Sequence, residues 1–434
     1  MSLNILNIRN LKEDSAFIKN SNLEKFYTVQ ESNLKKNNFC FNINKSKFSY
    51  PLSLNTWNQK EYNAINEVVY SNNFTMGKKV REFEKRFSSY IGSKYAVMVN
   101  SGSSANLLMI ASLILDKNIN LNEGDEVIVP SLSWATTYYP LNQYKLKMRF
   151  VDINLDTLNI DENKIINAIT KKTRAIIAVN VLGNPCNFKK LKEICKKNNL
   201  LLLEDNCEAL GAKYNDKFCG THGEVGTFSF YYSHHIHTIE GGMIVTDNKD
   251  IYHSLLSLRS HGWIRDLPKD NKLFKKKNNE FEESFAFVLP GYNLRPSEIN
   301  GSVGIEQLRK LNKIIKQRRK NASIFQNFFK DSEKVKIQKE IQFSSWFGFS
   351  LILDGCLKNK RNHVLRKMSD SNIETRPIIS GNFLKYPVTK YFNYSVCGKL
   401  KNSENIDSRG FFVGNNHVNL EHQIATLHKI ISSL

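Results

Sequence analysis

Short, unbroken apolar runs restrict the fold of this chain more than any other feature. They lie at residues 95–99, 126–129, 148–151, 175–179 and 200–203. A strand with one wet face alternates apolar and polar residues, whereas an unbroken run implies burial on both faces, as in a mainly parallel sheet. Stretches of helical length, such as 188–197, separate the runs. The alternation predicts an α/β fold with helices covering both faces of a large sheet. Helices are also expected at 61–70, at 80–90 and from about 100 to 115. After Pro296 a long helical segment over 297–329 leads to a smaller α/β portion, with a strand near 347–353 and a helix near 362–369. The expected organisation is a polar extension over 1–49, a large domain over 50–295 and a small C-terminal domain over 296–434.

The chain's 434 residues are enough to bury a large core in two or three domains. No apolar run approaches the roughly 20 residues that cross a bilayer, and no secretory pattern opens the sequence, so a cytoplasmic protein is expected. The seven cysteines form no CxxC pair, which points to free thiols. The formal charge of +21 raises the question of nucleic acid. The lysines are dispersed beside asparagines, as in Lys275-Lys276-Lys277-Asn278-Asn279, with no interleaved aromatic motif. A solvated basic surface, favourable to a diphosphate ligand, is expected instead, with neither nucleic acid nor membrane as partner.

Several stretches carry chemistry. Residues 100–106 (Asn-Ser-Gly-Ser-Ser-Ala-Asn) read as a turn feeding a helix N-terminus, where free N–H groups and the helix dipole favour a phosphate. Ser103 and Ser104 add hydroxyls; an ordinary N-cap is the plainer alternative. Leu200-Leu201-Leu202-Leu203-Glu204-Asp205 brings a carboxylate to the C-terminal end of a buried strand, where open α/β sheets bind ligands. A helix cap is the alternative there. Trp134 follows a strand and reads either as core or as a stacking face. From Ser229 to Met243 an aromatic-rich strand, expected to include Phe228, Phe230, Tyr231 and Tyr232, delivers His234, His235 and His237 before Glu240-Gly241-Gly242. The histidines lack a second ligand cluster at metal-site spacing, so no metal is expected.

That last stretch resembles the active-site segment of the sugar aminotransferases of the DegT/DnrJ/EryC1/StrS family, vitamin B6 enzymes of the aspartate aminotransferase fold (fold type I). In that family a lysine stands six residues before Glu-Gly-Gly; here the count lands on His234. The resemblance covers residues 50–434. It is most specific toward the branch that removes the C3 hydroxyl of GDP-4-keto-6-deoxy-D-mannose, through phrases such as Phe74-Thr75-Met76-Gly77, Ser233-His234-His235-Ile236, His261-Gly262-Trp263 and Ser345-Trp346-Phe347-Gly348. A sister branch holds an iron–sulfur cluster through closely spaced cysteines; between Cys219 and Cys356 this chain has none.

The resemblance implies pyridoxal 5′-phosphate, used also as pyridoxamine 5′-phosphate. Its phosphate would lie on Ser103, Ser104 and Ser229, with Asn293 reaching in from a neighbouring subunit. Trp134 would cover the ring, Asp205 would pair with its nitrogen, and Glu208 would face it where relatives usually carry glutamine. His234 would be the catalytic base, since imidazole exchanges protons near neutral pH and cannot usefully tether the cofactor. His261, Arg265 and Arg295 are implied for glutamate or the leaving hydroxyl. Phe74, Thr75, Glu374 and Arg376 are implied for a nucleotide-linked 4-keto-6-deoxy sugar. L-Glutamate would be the amino donor, ammonia a product and a homodimer the assembly. An ordinary sugar aminotransferase, or a non-catalytic B6-binding regulator, is the alternative reading.

Overall fold

A computed structural model describes residues 46–116, 118–276 and 279–434. All but four residues of the polar extension therefore lie outside the described residues. Ahead of the long helix come β1 (Tyr95–Val99), β2 (Glu126–Pro130), β3 (Lys147–Val151), β4 (Thr173–Val179) and β5 (Leu201–Asp205). A small hairpin of β6 (Lys213–Tyr214) and β7 (Lys217–Phe218), then β8 (Val225–Ser229) and β9 (Gly242–Thr246), complete that part. Beyond it lie β10 (Val335–Lys336), β11 (Gly348–Leu353), β12 (Thr375–Arg376), β13 (Tyr394–Val396) and β14 (Gly410–Gly414).

The expected large sheet is present, in the order β1-β9-β8-β5-β4-β2-β3-β13. Its pairs are parallel except for the two that β9 makes, with β1 and with β8. Val97, Val129, Ile177, Leu203 and Ile244 are fully buried beneath the helices Gly102–Ile114 and Lys249–Arg259. Edge strand β13 was not anticipated. Its three residues are half-exposed, so they carry no apolar run, and they pair in parallel with Met148–Phe150. The smaller sheet, β10-β11-β14-β12, is antiparallel throughout and packs its own core, including Phe349, Leu351 and Val413, against the long helix Glu298–Phe329.

One expectation is corrected. The aromatic strand does not run through Tyr232 but ends at Ser229. Phe230 stays buried and closes a loop, accepting from the N–H of Thr238 and donating to the Gly241 carbonyl, while Tyr231 and Tyr232 turn outward. The aromatic run looked strand-like because Phe230 packs with Phe83 and Phe87, yet the tyrosines cover no sheet face. No helix among the described residues is long and apolar enough to cross a membrane.

Candidate active site

The C-terminal ends of β4 and β5, the N-terminus of helix Gly102–Ile114 and the loop between β8 and β9 border a cavity of about 410 Å³. That lies in the range of small-molecule sites. Its polar wall contains Ser101, Ser103, Asp205, Glu208, Ser229 and His234. Its apolar wall comes from Leu52, Val179, Phe347, Ile379 and Phe412, with Trp134 and Arg376 at the margins.

Asp205 is the last residue of β5 and only 5% exposed. Its Oδ2 accepts from Asn106 Nδ2 at 2.8 Å and Thr137 Oγ1 at 2.7 Å, and its Oδ1 from the Cys207 N–H at 3.1 Å. Thr227 Oγ1 in turn donates to Asn106 Oδ1 at 2.6 Å. The carboxylate is thus held by neutral donors, with no ion pair among the described residues, and is positioned to receive a cationic N–H from a ligand. Asn106, Thr137 and Thr227 had no role in the sequence reading, although Asn106 stood in a stretch singled out there.

Ser101 caps the helix Gly102–Ile114 by accepting from the Ser104 N–H at 3.0 Å. The first-turn N–H groups of Gly102 and Ser103 have no carbonyl one turn back to bond. A Cβ on Gly102 would come within 2.5 Å of Ser229 Cβ, and one on Gly242 within 2.2 Å of the Ser101 carbonyl oxygen. Only glycine lets β9 and Ser229 approach this helix end so closely. Ser103, Ser229 and the free N–H groups therefore form one cradle suited to a phosphate. Ser104 does not line the cavity: its hydroxyl donates to Asn100 Oδ1 at 2.6 Å.

His234 stands in a turn, its N–H donating to the Tyr231 carbonyl at 2.9 Å, with the rings of Tyr231 and Phe347 beside it. Burial, reinforced by the charges of Arg318 and His237, pulls its imidazole down to about 4, so it is neutral at pH 7. Its two neighbours are structural. His235 is fully buried and bonded through Nε2 to the Ser345 carbonyl; His237 contacts Asn55 Oδ1 and stacks on Trp57 at 5.1 Å. They fix the loop while His234 faces the cavity. Among the described residues, no group of His, Cys, Asp and Glu is arranged to hold a metal ion. Burial lifts Glu208 to about 7, and the negative charge of Asp205 pushes the same way, against a hydrogen bond from the Leu182 N–H. Near neutrality its carboxyl is partly protonated and can donate as an amide does. Trp134 is 59% exposed beside the cavity, so it is not core.

The remaining implied residues gather elsewhere. Trp263 lies under Arg265 at 4.2 Å and Arg295 at 5.6 Å, with His261 at 4.8 Å. Asn293 Oδ1 accepts from Arg295 Nε at 3.0 Å. Thr75 bridges to Ser297, and the Phe74 carbonyl accepts from the Glu298 N–H, which ties both residues to the chain just past Arg295. None of these side chains lines the cavity of its own chain. Glu374 lies behind Arg376, 3.9 Å away, and accepts from the Leu52 N–H at 2.9 Å.

Residues 55–430 match the model of the DegT/DnrJ/EryC1/StrS aminotransferase family. The chain belongs to that family. It is 51% identical over 391 residues to a GDP-4-keto-6-deoxy-D-mannose 3-dehydratase of Yersinia pseudotuberculosis, a match spanning 90% of this chain and all of the relative. It is also similar to a solved structure of the E. coli GDP-4-keto-6-deoxy-D-mannose-3-dehydratase with bound hydrated PLP, at TM-score 0.87 and 51% identity, over 88% of this chain and 99% of that one. A further structure, GDP-4-keto-6-deoxymannose-3-dehydratase with a trapped PLP-glutamate geminal diamine, matches equally well, at TM-score 0.87 and 51% identity, over 88% and 100%. Within the DegT/DnrJ/EryC1/StrS family, the cavity's phosphate cradle, buried Asp205 and flanking Trp134 fit the B6 cofactor.

Proposed function

We propose that this chain is a pyridoxal phosphate-dependent 3-dehydratase of GDP-4-keto-6-deoxy-D-mannose, with L-glutamate as amino donor and ammonia as a product. One observation carries the choice between dehydratase and aminotransferase: among the described residues no lysine lines the cavity, and His234 stands there instead. Retention of Asp205, its donors and the cradle disfavours a non-catalytic regulator.

When bound, the cofactor would supply the electron sink that loss of the C3 hydroxyl requires. The chain's own residues do the rest. Ser103, Ser229 and the N-terminal turn of helix Gly102–Ile114 would hold the phosphate. Asp205, oriented by Asn106 and Thr137, would keep the ring nitrogen protonated. Trp134 would cover the ring and Glu208 would donate to its edge. His234, neutral and without an amine, would take a proton and return it, and would leave the cofactor without a covalent tether at this position. Arg376 and Glu374 would bind the nucleotide sugar. Overall the sugar loses one oxygen and glutamate leaves as 2-oxoglutarate plus ammonia, which balances.

We also assign the Trp263 cluster to the active site of a partner copy in a homodimer, where Asn293 would reach the phosphate and Arg265, Arg295 and His261 the anionic ligands, with Phe74 and Thr75 beside the sugar. The division into a large part over 50–295 and a small part over 296–434 belongs to the same reading. So does a cytoplasmic location, which the six free thiols among the described residues support.

The test is incubation with pyridoxal phosphate, glutamate and either GDP- or CDP-linked 4-keto-6-deoxyhexose, read by product mass and ammonia release. The GDP-linked sugar should lose one oxygen. Gain of an amino group, or the same loss from the CDP-linked sugar alone, would overturn the assignment.

A further inference from the structure

The long helix Glu298–Phe329 buries Arg318, which is 3% exposed. Among the described residues no carboxylate pairs with it. Its Nη1 donates to the carbonyls of Trp346 at 3.4 Å and Phe347 at 3.0 Å, and its Nε has no partner. A buried cation without an anion is costly, so this arginine is an expensive way to bind two carbonyls.

Those carbonyls belong to a strained stretch. Trp346 is fully buried at a φ of +50°, a region that a bulky residue rarely occupies. Asn415 Nδ2 also donates to the Trp346 carbonyl, at 2.8 Å, and to that of Arg318 at 3.1 Å. On the opposite side the stretch is tied to the short turn Val181–Gly183 that follows β4. The N–H of Phe347 donates to the Leu182 carbonyl at 2.9 Å, and that of Ser345 to the Gly183 carbonyl at 3.0 Å. The Phe347 ring lies 5.3 Å from the His234 ring and 5.8 Å from that of His235, and it lines the cavity.

We propose that Arg318 is a positioning residue for His234: by holding the Trp346 and Phe347 carbonyls it fixes the Phe347 ring as the backstop that keeps the imidazole facing the cavity. The inference rests on His234 being the proton-transfer group of the proposed function. The buried charge has a second effect, since it opposes protonation of the imidazole alongside burial itself. The other titratable and charged groups around His234 are Tyr231, His235, His237 and Glu240 on its own loop, Asp205 at the end of β5 with Cys207 and Glu208 just after it, and Arg376 across the cavity.

The test uses the full chain, with the His234 titration followed by NMR in the cofactor-free protein and kinetics followed in the loaded enzyme. Arg318→Met should raise the His234 titration above about 4, while burial, the larger cause, still holds it below the ordinary imidazole value. It should also lower kcat by about 100-fold, the cost of misplacing a reacting group by roughly 1 Å, with KM for the nucleotide sugar unchanged. Arg318→Lys, which keeps the cation but not the planar fork, should recover part of both. Phe347→Leu, which leaves Arg318 in place, should lower kcat in the same way and serves if the methionine variant does not fold. A methionine variant with wild-type kcat and an unmoved titration would overturn the proposal, as would an unfolded one combined with a kinetically silent Phe347→Leu. Should the wild type dehydrate no sugar, the parent reading falls, and the NMR titration still decides the link between Arg318 and His234.

Discussion

The cavity at the end of β5 and the Trp263 cluster carry residues implied by the same family resemblance, yet the chain treats them differently. Around the cavity, Asp205, Ser103, Ser229, Glu208 and His234 converge from three separate segments, and Asp205 is clamped by Asn106 and Thr137. Around Trp263, two arginines and a histidine crowd one indole ring, with Phe285 and Phe287 exposed at 69% and 57% beside it. The first set converges within one chain; the second does not line that cavity. Large exposed aromatics beside charged groups mark a surface made for a partner. The difference separates residues that share one cavity from residues that share one indole ring outside it.

The largest expected effect tests the cavity. His234→Asn should lower loss of the C3 hydroxyl by ~10²–10⁴-fold, the range of general acid–base catalysis, without impairing cofactor binding. Retained dehydration, followed by product mass, would remove His234 from the mechanism. Next, Asp205→Asn should weaken cofactor binding by roughly 10- to 100-fold, corresponding to loss of a hydrogen bond to a charged group worth about 1.5–3 kcal/mol. Spectroscopic titration measures this, and unchanged affinity would detach Asp205 from the ring nitrogen.

The comparison itself is tested by mixing two inactive variants, His234→Asn and Arg295→Ala. If the Trp263 cluster serves a partner's cavity, each mixed dimer regains one intact site, and about a quarter of wild-type activity should return after subunit exchange. No recovery would confine both residues to one chain. The smallest effect concerns stability. Burial holds His222, His237 and His417 at about 4, below the roughly 6.5 of an unfolded chain, so the unfolded state binds more protons between those values. Stability should be full above pH 6.5 and fall as pH drops toward 4. A melting temperature constant over that window would contradict the burial of these rings.

Much of this was legible in the sequence, for physical reasons. Unbroken apolar runs report burial on both faces, so β1 to β5 and the long helix were readable to within a few residues. Seven of the implied site residues line one cavity: Ser103, Trp134, Asp205, Glu208, Ser229, His234 and Arg376. The misreadings have local causes. Tyr231 and Tyr232 extend an aromatic run whose packing stops at Phe230, and Ser104 lies next to the cradle but turns its hydroxyl to Asn100. Asn106, Thr137 and Thr227 escaped notice because a neutral donor orienting a carboxylate leaves no pattern in spacing; it acts only once distant segments meet. Arg318 was invisible for the same reason, as one cation among the 62 lysines and arginines.

The account turns on an imidazole that exchanges a proton with the cofactor without holding it covalently. Reduction of the cofactor-loaded protein with borohydride, followed by intact-chain mass, tests this most directly. The wild-type chain should keep its unmodified mass, while His234→Lys should gain one reduced cofactor, located at residue 234. A wild-type chain that retains the cofactor covalently after reduction would contradict it.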